Sequence, residues 1–138
     1  MSSETVIAVV NNILMIVQGE ETPSPASHER LFEILGQPKG AFRAILVSSP
    51  GGTPTVTQRK QIIPELKRHR VPLALLTSSA RVRGALTAVS WFVSFPLRPF
   101  SYADVEESLR FLKQPPPFAS ARIALARMRR ECTTLNGG

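Results

Sequence analysis

Apolar positions along the chain follow two rhythms, and their order predicts an α/β fold. Ala44 to Val47 and Leu73 to Leu76 are short continuous apolar runs bounded by turn residues. Strands covered on both faces read this way, whereas a half-wet strand alternates. Between them Val56, Ile62, Ile63 and Leu66 recur at helical spacing. A strand, a crossover helix and a second strand make a right-handed βαβ unit, so the stretch from Ala41 to Ser79 predicts the centre of a parallel or mixed sheet.

The flanks extend this centre. Two apolar runs, Thr5 to Val10 and Ile13 to Gln18, surround Asn11-Asn12 and predict a β-hairpin, because asparagine tolerates the positive φ of a primed turn. Ser24 followed by Pro25 predicts a helix start, with Leu31, Ile34 and Leu35 on its inner face and Gly36 at its end. Thr55 with Gln58 matches a capping box for the central helix. Pro64 inside that helix removes one backbone bond and predicts a kink. Lys67 to Arg70 closes it with basic residues, favourable at the negative end of the helix dipole. Ser78 or Ser79 caps a third helix running to Val93, with Val82, Leu86, Val89 and Val93 as its stripe. Phe95 to Pro99 reads as an edge strand, since its prolines cannot donate to a ladder. Ser101 and Asp104 introduce a fourth helix with Tyr102, Val105, Leu109 and Leu112 on one face. Pro115-Pro116-Pro117 stops it. In the last segment Ala121, Ala124, Leu125, Met128 and Cys132 share one helix side, and Arg122, Arg129 and Arg130 fall on the other. The predicted division is 1–113 as one domain and 114–138 as a proline-rich linker with a basic amphipathic tail.

Composition narrows the function classes. A chain of 138 residues builds one domain with a real core. The longest apolar runs, Val6 to Val10 and Ile13 to Val17, are far too short to span a bilayer, and no basic-then-apolar leader opens the sequence. A lone cysteine, Cys132, excludes an internal disulfide and suits a reducing compartment, so the expected location is cytoplasmic. The net charge of +7 is uneven: Ile34 to Ala103 carries ten basic residues and one acid, Glu65. Such a middle suits an anionic partner, whether an acidic protein, a phospholipid surface or nucleic acid; a solvated face that keeps a small protein soluble explains it equally well.

With this element order, and with the segments ILVSSPGGTPTVTQR, LALLTSSARVRGALTAVSWF and LRPFSYADVEESLRFL, the chain resembles the STAS-like domains of sulphate transporters and anti-sigma factor antagonists. Within that group it is most similar to small single-domain bacterial proteins related to the CRAL-TRIO fold, over about Val6 to Leu112. The resemblance implies an α/β fold: a mixed sheet of four or five strands with an N-terminal hairpin, helices mainly on one face, and here an extra C-terminal helix. It also implies regulation through protein contacts rather than catalysis. Anti-sigma antagonists carry an Asp-Ser turn before the second helix, whose serine a partner kinase phosphorylates; this loop has no aspartate. Ser48, Ser49, Thr55 and Thr57 are the candidate modification or ligand-loop residues, and turn and capping chemistry is the simpler role for them.

Catalytic patterns are missing from the sequence. His28 and His69 have no second ligand at metal-binding spacing and are expected at the surface; no metal or cofactor is expected. SSPGG lacks the lysine and hydroxyl of a P-loop. Cys132 reads as a small apolar contact. What remains is surface: Arg59 and Lys60 on the second helix with Arg81, Arg83, Thr87 and Trp91 on the third form the candidate partner-binding patch. Trp91 packed against the sheet edge is the competing role. In the tail, Leu125, Met128, Arg129 and Arg130 are the candidate contacts, either with the protein's own domain or with a partner or second copy; its small apolar face is weak for membrane binding. Nucleic-acid binding ranks well behind, since no module for it is recognised. The expected function is a non-catalytic adaptor or signalling domain. The alternative is a small-ligand or lipid-binding domain using the loops at the carboxyl ends of the central strands.

Overall fold

A computed structural model describes residues 5–19, 23–38, 40–50, 55–90 and 95–137. Five strands, β1 (Val6–Val10), β2 (Ile13–Val17), β3 (Ala44–Ser48), β4 (Leu73–Leu76) and β5 (Leu97–Phe100), form one sheet in sequence order. β1 and β2 pair antiparallel; β2 to β5 run parallel. The helices are α1 (Pro25–Leu35), α2 (Val56–His69), α3 (Ala80–Ser90), α4 (Val105–Phe111) and α5 (Ala119–Gly137).

Local chemistry sets most boundaries. Asn11 and Asn12 both adopt positive φ, 51° and 67°, which closes β1 onto β2 in a two-residue turn. Ser24 accepts the Ser27 N–H at the start of α1. Thr55 and Gln58 form the reciprocal capping box at the start of α2, and that helix runs unbroken through Pro64. Ser79 Oγ accepts the Val82 N–H to start α3.

The apolar strand runs are explained by two cores. On one face Ile7, Leu14, Ile16, Ile45 and Leu73 pack with Leu31 and Leu35 of α1, Ile62 of α2, and Phe42. On the other Ile13, Met15, Val17, Ala44, Leu46, Ala74 and Leu76 pack with Leu109 and Leu112 of α4 and with Ala121, Leu125, Met128 and Cys132 of α5. Where the sequence predicts helices mainly on one face, α4 and α5 close the second. The tail helix is therefore part of the sheet's covering layer.

Four further expectations are revised. His69 is not a surface residue: it is 2% exposed, with its ring 4.4 Å from that of Phe42. It lies seven residues after Ile62, two turns along the same helix face. Tyr102 precedes α4 rather than lying on it, because the helix starts after Asp104, whose side chain accepts from Ser101 Oγ at 3.0 Å instead of capping. β5 begins at Leu97, not Phe95, since Phe95 turns into the first core. Arg129, expected on the outer side of the tail, is half-buried, one turn from Leu125. Val89 and Val93 of the third helix's predicted stripe lie outside the described side chains.

Candidate functional site

The parallel strands β2 to β5 end together, and the chain leaves that edge through polar residues. Gln18, Ser48, Ser49 and Thr77 are buried there. Their backbones continue the ladder beyond the strands: Gln18 N–H donates to Ser48 O at 2.8 Å, Ser49 N–H to Leu76 O at 2.9 Å, and Thr77 N–H to Phe100 O at 3.0 Å. The side chains then organise the helix starts. Thr77 Oγ1 accepts from Ser79 N–H at 3.1 Å, and Arg83 Nη1 donates to Thr77 O at 3.2 Å. Hydroxyls at this edge thus act in turns and caps, chemistry that satisfies backbone groups no strand partner can reach.

Arg129 completes the floor from the far side. Its Nε donates to Ser48 Oγ at 3.1 Å, and its guanidinium sits 4.4 Å from the centre of the Tyr102 ring. Burial lowers the pKa of this guanidinium from its ordinary value, while Tyr102 acts in the opposite direction. A cation tolerates such burial because the ring face and the hydroxyl replace part of its water. Replacing Arg129 with alanine is expected to cost about 1–3 kcal/mol in a denaturant titration, from the charged hydrogen bond and the ring contact together. A lysine at this position is expected to recover less than half of the loss, having no planar face to lay on Tyr102. A neutral result for Arg129→Ala would remove Arg129 from the floor.

Around this filled floor stands a basic rim. Arg59 and Lys60 near the start of α2, Arg81 in α3 and Arg130 in α5 are exposed. Arg83 is half-buried by its bond to Thr77 O, and Thr87 Oγ1 donates to the carbonyl of Arg83 at 2.9 Å. α2 packs on α1 while α3 packs on β5, so the basic groups of α2 and α3 belong to one sheet edge without sharing a helix–helix seam. Trp91 lies outside the described residues.

The candidate loop residues divide. Ser48 and Ser49 are each 1% exposed and built into the floor, out of a modifying enzyme's reach in the closed fold. Thr55 and Thr57 are exposed, but Thr55 Oγ1 accepts from Gln58 N–H in the capping box. In the tail Leu125 and Met128 are buried, as the docked alternative requires.

Two open grooves are found among the described residues. An open groove of about 510 Å³ runs between Asn12, Arg43, Gln114 and Phe118 at the amino end of the parallel strands. A second, of about 310 Å³, lies between β5 and α4 beside Arg98, Asp104 and Arg110. Among the described residues no group of three or more histidines, cysteines or carboxylates is placed to hold a metal. No described helix is long and apolar enough to cross a membrane.

Sequence reasoning missed the Arg129–Ser48–Tyr102 contact. The signal for the arginine was present, since Arg129 follows Ala121 and Leu125 at successive four-residue steps on the helix face that the core occupies.

No family model and no curated protein matches the sequence. Among solved structures the chain is similar to an uncharacterized protein of the DUF3478 family with a SpoIIAA-like fold from Shewanella loihica. That match covers 80% of this chain and 94% of the other at 14% identity, with a TM-score of 0.54. The protein is thus an α/β protein with a SpoIIAA-like, that is STAS-like, fold. The likeness is one of fold.

Proposed function

We propose that this protein is a non-catalytic interaction domain, an adaptor or signalling component, that presents the basic rim at the carboxyl edge of its sheet to an acidic protein surface. The carrying observation is the contrast between floor and rim. Ser48, Ser49 and Thr77 are buried and bonded within the protein, and Arg129 bonds to Ser48 from the far side. Arg59, Lys60, Arg81 and Arg130 remain in solvent around them. A packed floor with an exposed cationic border is the anatomy of a surface that docks a partner. The small-ligand reading has weaker support: among the described residues neither groove named above is lined by Ser48, Ser49 or Thr77. Cys132, buried among Leu125 and Met128, fits a reducing, cytoplasmic setting.

The test compares the native chain with Arg59→Glu/Arg81→Glu in affinity capture from native lysate. Both arginines are exposed, so the stability is expected to change by no more than about 0.5 kcal/mol. Arg83 is left in place because it bonds the backbone of Thr77. The expected result is a stoichiometric protein partner that the double variant loses and that added salt weakens. A partner retained equally by the variant, or a co-purifying small molecule or lipid in its place, would overturn the reading.

A further inference from the structure

The larger groove lies at the amino end of the parallel strands, opposite the edge that carries the basic rim. Three segments meet there. The hairpin turn supplies Asn11 and Asn12, the residue before β3 supplies Arg43, and the stretch from Gln114 to Ala121 runs past the end of α4 into α5. Backbone and side-chain bonds hold them in place. Arg43 N–H donates to Asn12 O at 2.7 Å, Gln114 N–H to Leu109 O at 3.0 Å, and Asn11 Nδ2 to Ser120 Oγ at 2.8 Å. The last bond sets the chemistry of Ser120: its oxygen accepts from an amide, so its own hydrogen is left to donate. Beneath these polar groups the lining is apolar. Ile13 and Ala121 are buried, and the Phe118 ring is held by the Arg110 guanidinium, 5.5 Å from its centre.

Charge selects the occupant. Among the described residues Arg43 is the one cation that lines the groove, and no carboxylate lines it. Arg43 is exposed and takes part in none of the ion pairs among those residues. A guanidinium presents a planar fork of donors that fits a carboxylate through two parallel bonds. A few polar groups set on an apolar lining is also the usual make-up of a small-molecule site. From this we infer that the groove binds a small organic monocarboxylate with an apolar, preferably aromatic, body. The carboxylate pairs with Arg43, and the body lies over Phe118 and Ile13. A second acid group would find no second cation, which separates this ligand from dicarboxylates and phosphates. At about 510 Å³ the groove has the volume of a single small-molecule site, and that favours a free acid over an extended peptide. The inference does not rest on the role of the rim, which uses other residues at the other end of the sheet.

Titration of phenylacetate into the isotope-labelled full chain, followed through backbone amide shifts, tests this, with phenylacetamide as the neutral probe of the same shape. The expected result is saturable binding at roughly millimolar concentration, as suits so small a ligand, with shifts centred on Asn12, Arg43, Ser120 and Ala121. Phenylacetamide and the Arg43→Gln variant are each expected to weaken binding by about tenfold, the loss of one charged pairing. Arg43→Gln replaces an exposed side chain and keeps the backbone bond to Asn12, so the fold is retained. Arg81→Gln at the rim is expected to leave the titration unchanged. Equal binding of acid and amide overturns the inference, as do shifts centred on Arg59 and Arg81 or a titration that shows no saturation up to tens of millimolar. A peptide ending in a free phenylalanine carboxylate that binds more tightly than phenylacetate overturns the assignment to a small molecule. None of these results depends on the capture experiment, whose variant leaves the groove intact.

Discussion

Leu125→Ala is expected to lower the stability of the protein by about 2–5 kcal/mol, the range for emptying a packed leucine site. For a chain of this size the melting temperature should fall by on the order of 10 °C. Leu125 is 2% exposed and shares its core with Met15, Leu46 and Met128, so the cavity has rigid walls on the sheet side and little room to collapse. The internal control is Ile123→Ala on the same helix, where the side chain is 58% exposed and the expected change is within about 0.5 kcal/mol. The pair decides what α5 is for. Equal and small effects at both positions would mean that α5 is held in reserve for a partner or surface. A large effect at Leu125 alone makes it a structural layer of the domain, and residues 114–138 cease to be a tail in any energetic sense.

The sheet was largely legible because its signals are local. Continuous apolar runs bounded by turn residues marked β3 and β4, and paired asparagines marked the hairpin; each needs only neighbouring residues to act. Thr55 with Gln58 marked the start of α2 for the same reason, a reciprocal cap within one turn. What escaped depended on long-range geometry. Arg129 meets Ser48 across 81 positions in the sequence, and no local pattern announces that a guanidinium will lie under a strand end. His69 was hidden by its company: in Lys-Arg-His-Arg, charge suggests solvent, while the helical spacing from Ile62 points inward. Spacing won because a helix rotates 100° per residue, so Arg68 and Arg70 can reach water while the residue between them cannot. The basic rim was half legible. The residue types could be read, but their placement on one edge follows from parallel strands whose ends coincide.

Phe42→Ala is the second large loss expected, about 3–5 kcal/mol, and it reports on more than a cavity. Phe42 is 1% exposed immediately before β3, and its ring packs on His69 at the end of α2. His69 in turn lies with Nε2 2.7 Å from the carbonyl oxygen of Leu35, the last residue of α1. A carbonyl only accepts, so Nε2 carries the proton and donates it. Arg68 Nη2 donates to the same oxygen at 2.7 Å and to Gln37 O at 3.0 Å. The end of α1, which has carbonyls and no further helical turn to satisfy them, is thus closed by two consecutive residues of α2. His69→Ala removes one of these donors and the face on which Phe42 rests, for an expected loss of about 1–3 kcal/mol. The single losses should not add. In a double-mutant cycle with Phe42→Ala the pair is expected to show a coupling of about 0.5–1.5 kcal/mol, the ring–ring contribution beyond burial. A coupling near zero would show that Phe42 fills space without orienting the imidazole, leaving the closure of α1 to Arg68. A coupling in the expected range makes Phe42 the support that aims His69 at Leu35, and so ties the start of β3 to the packing of α1 on α2.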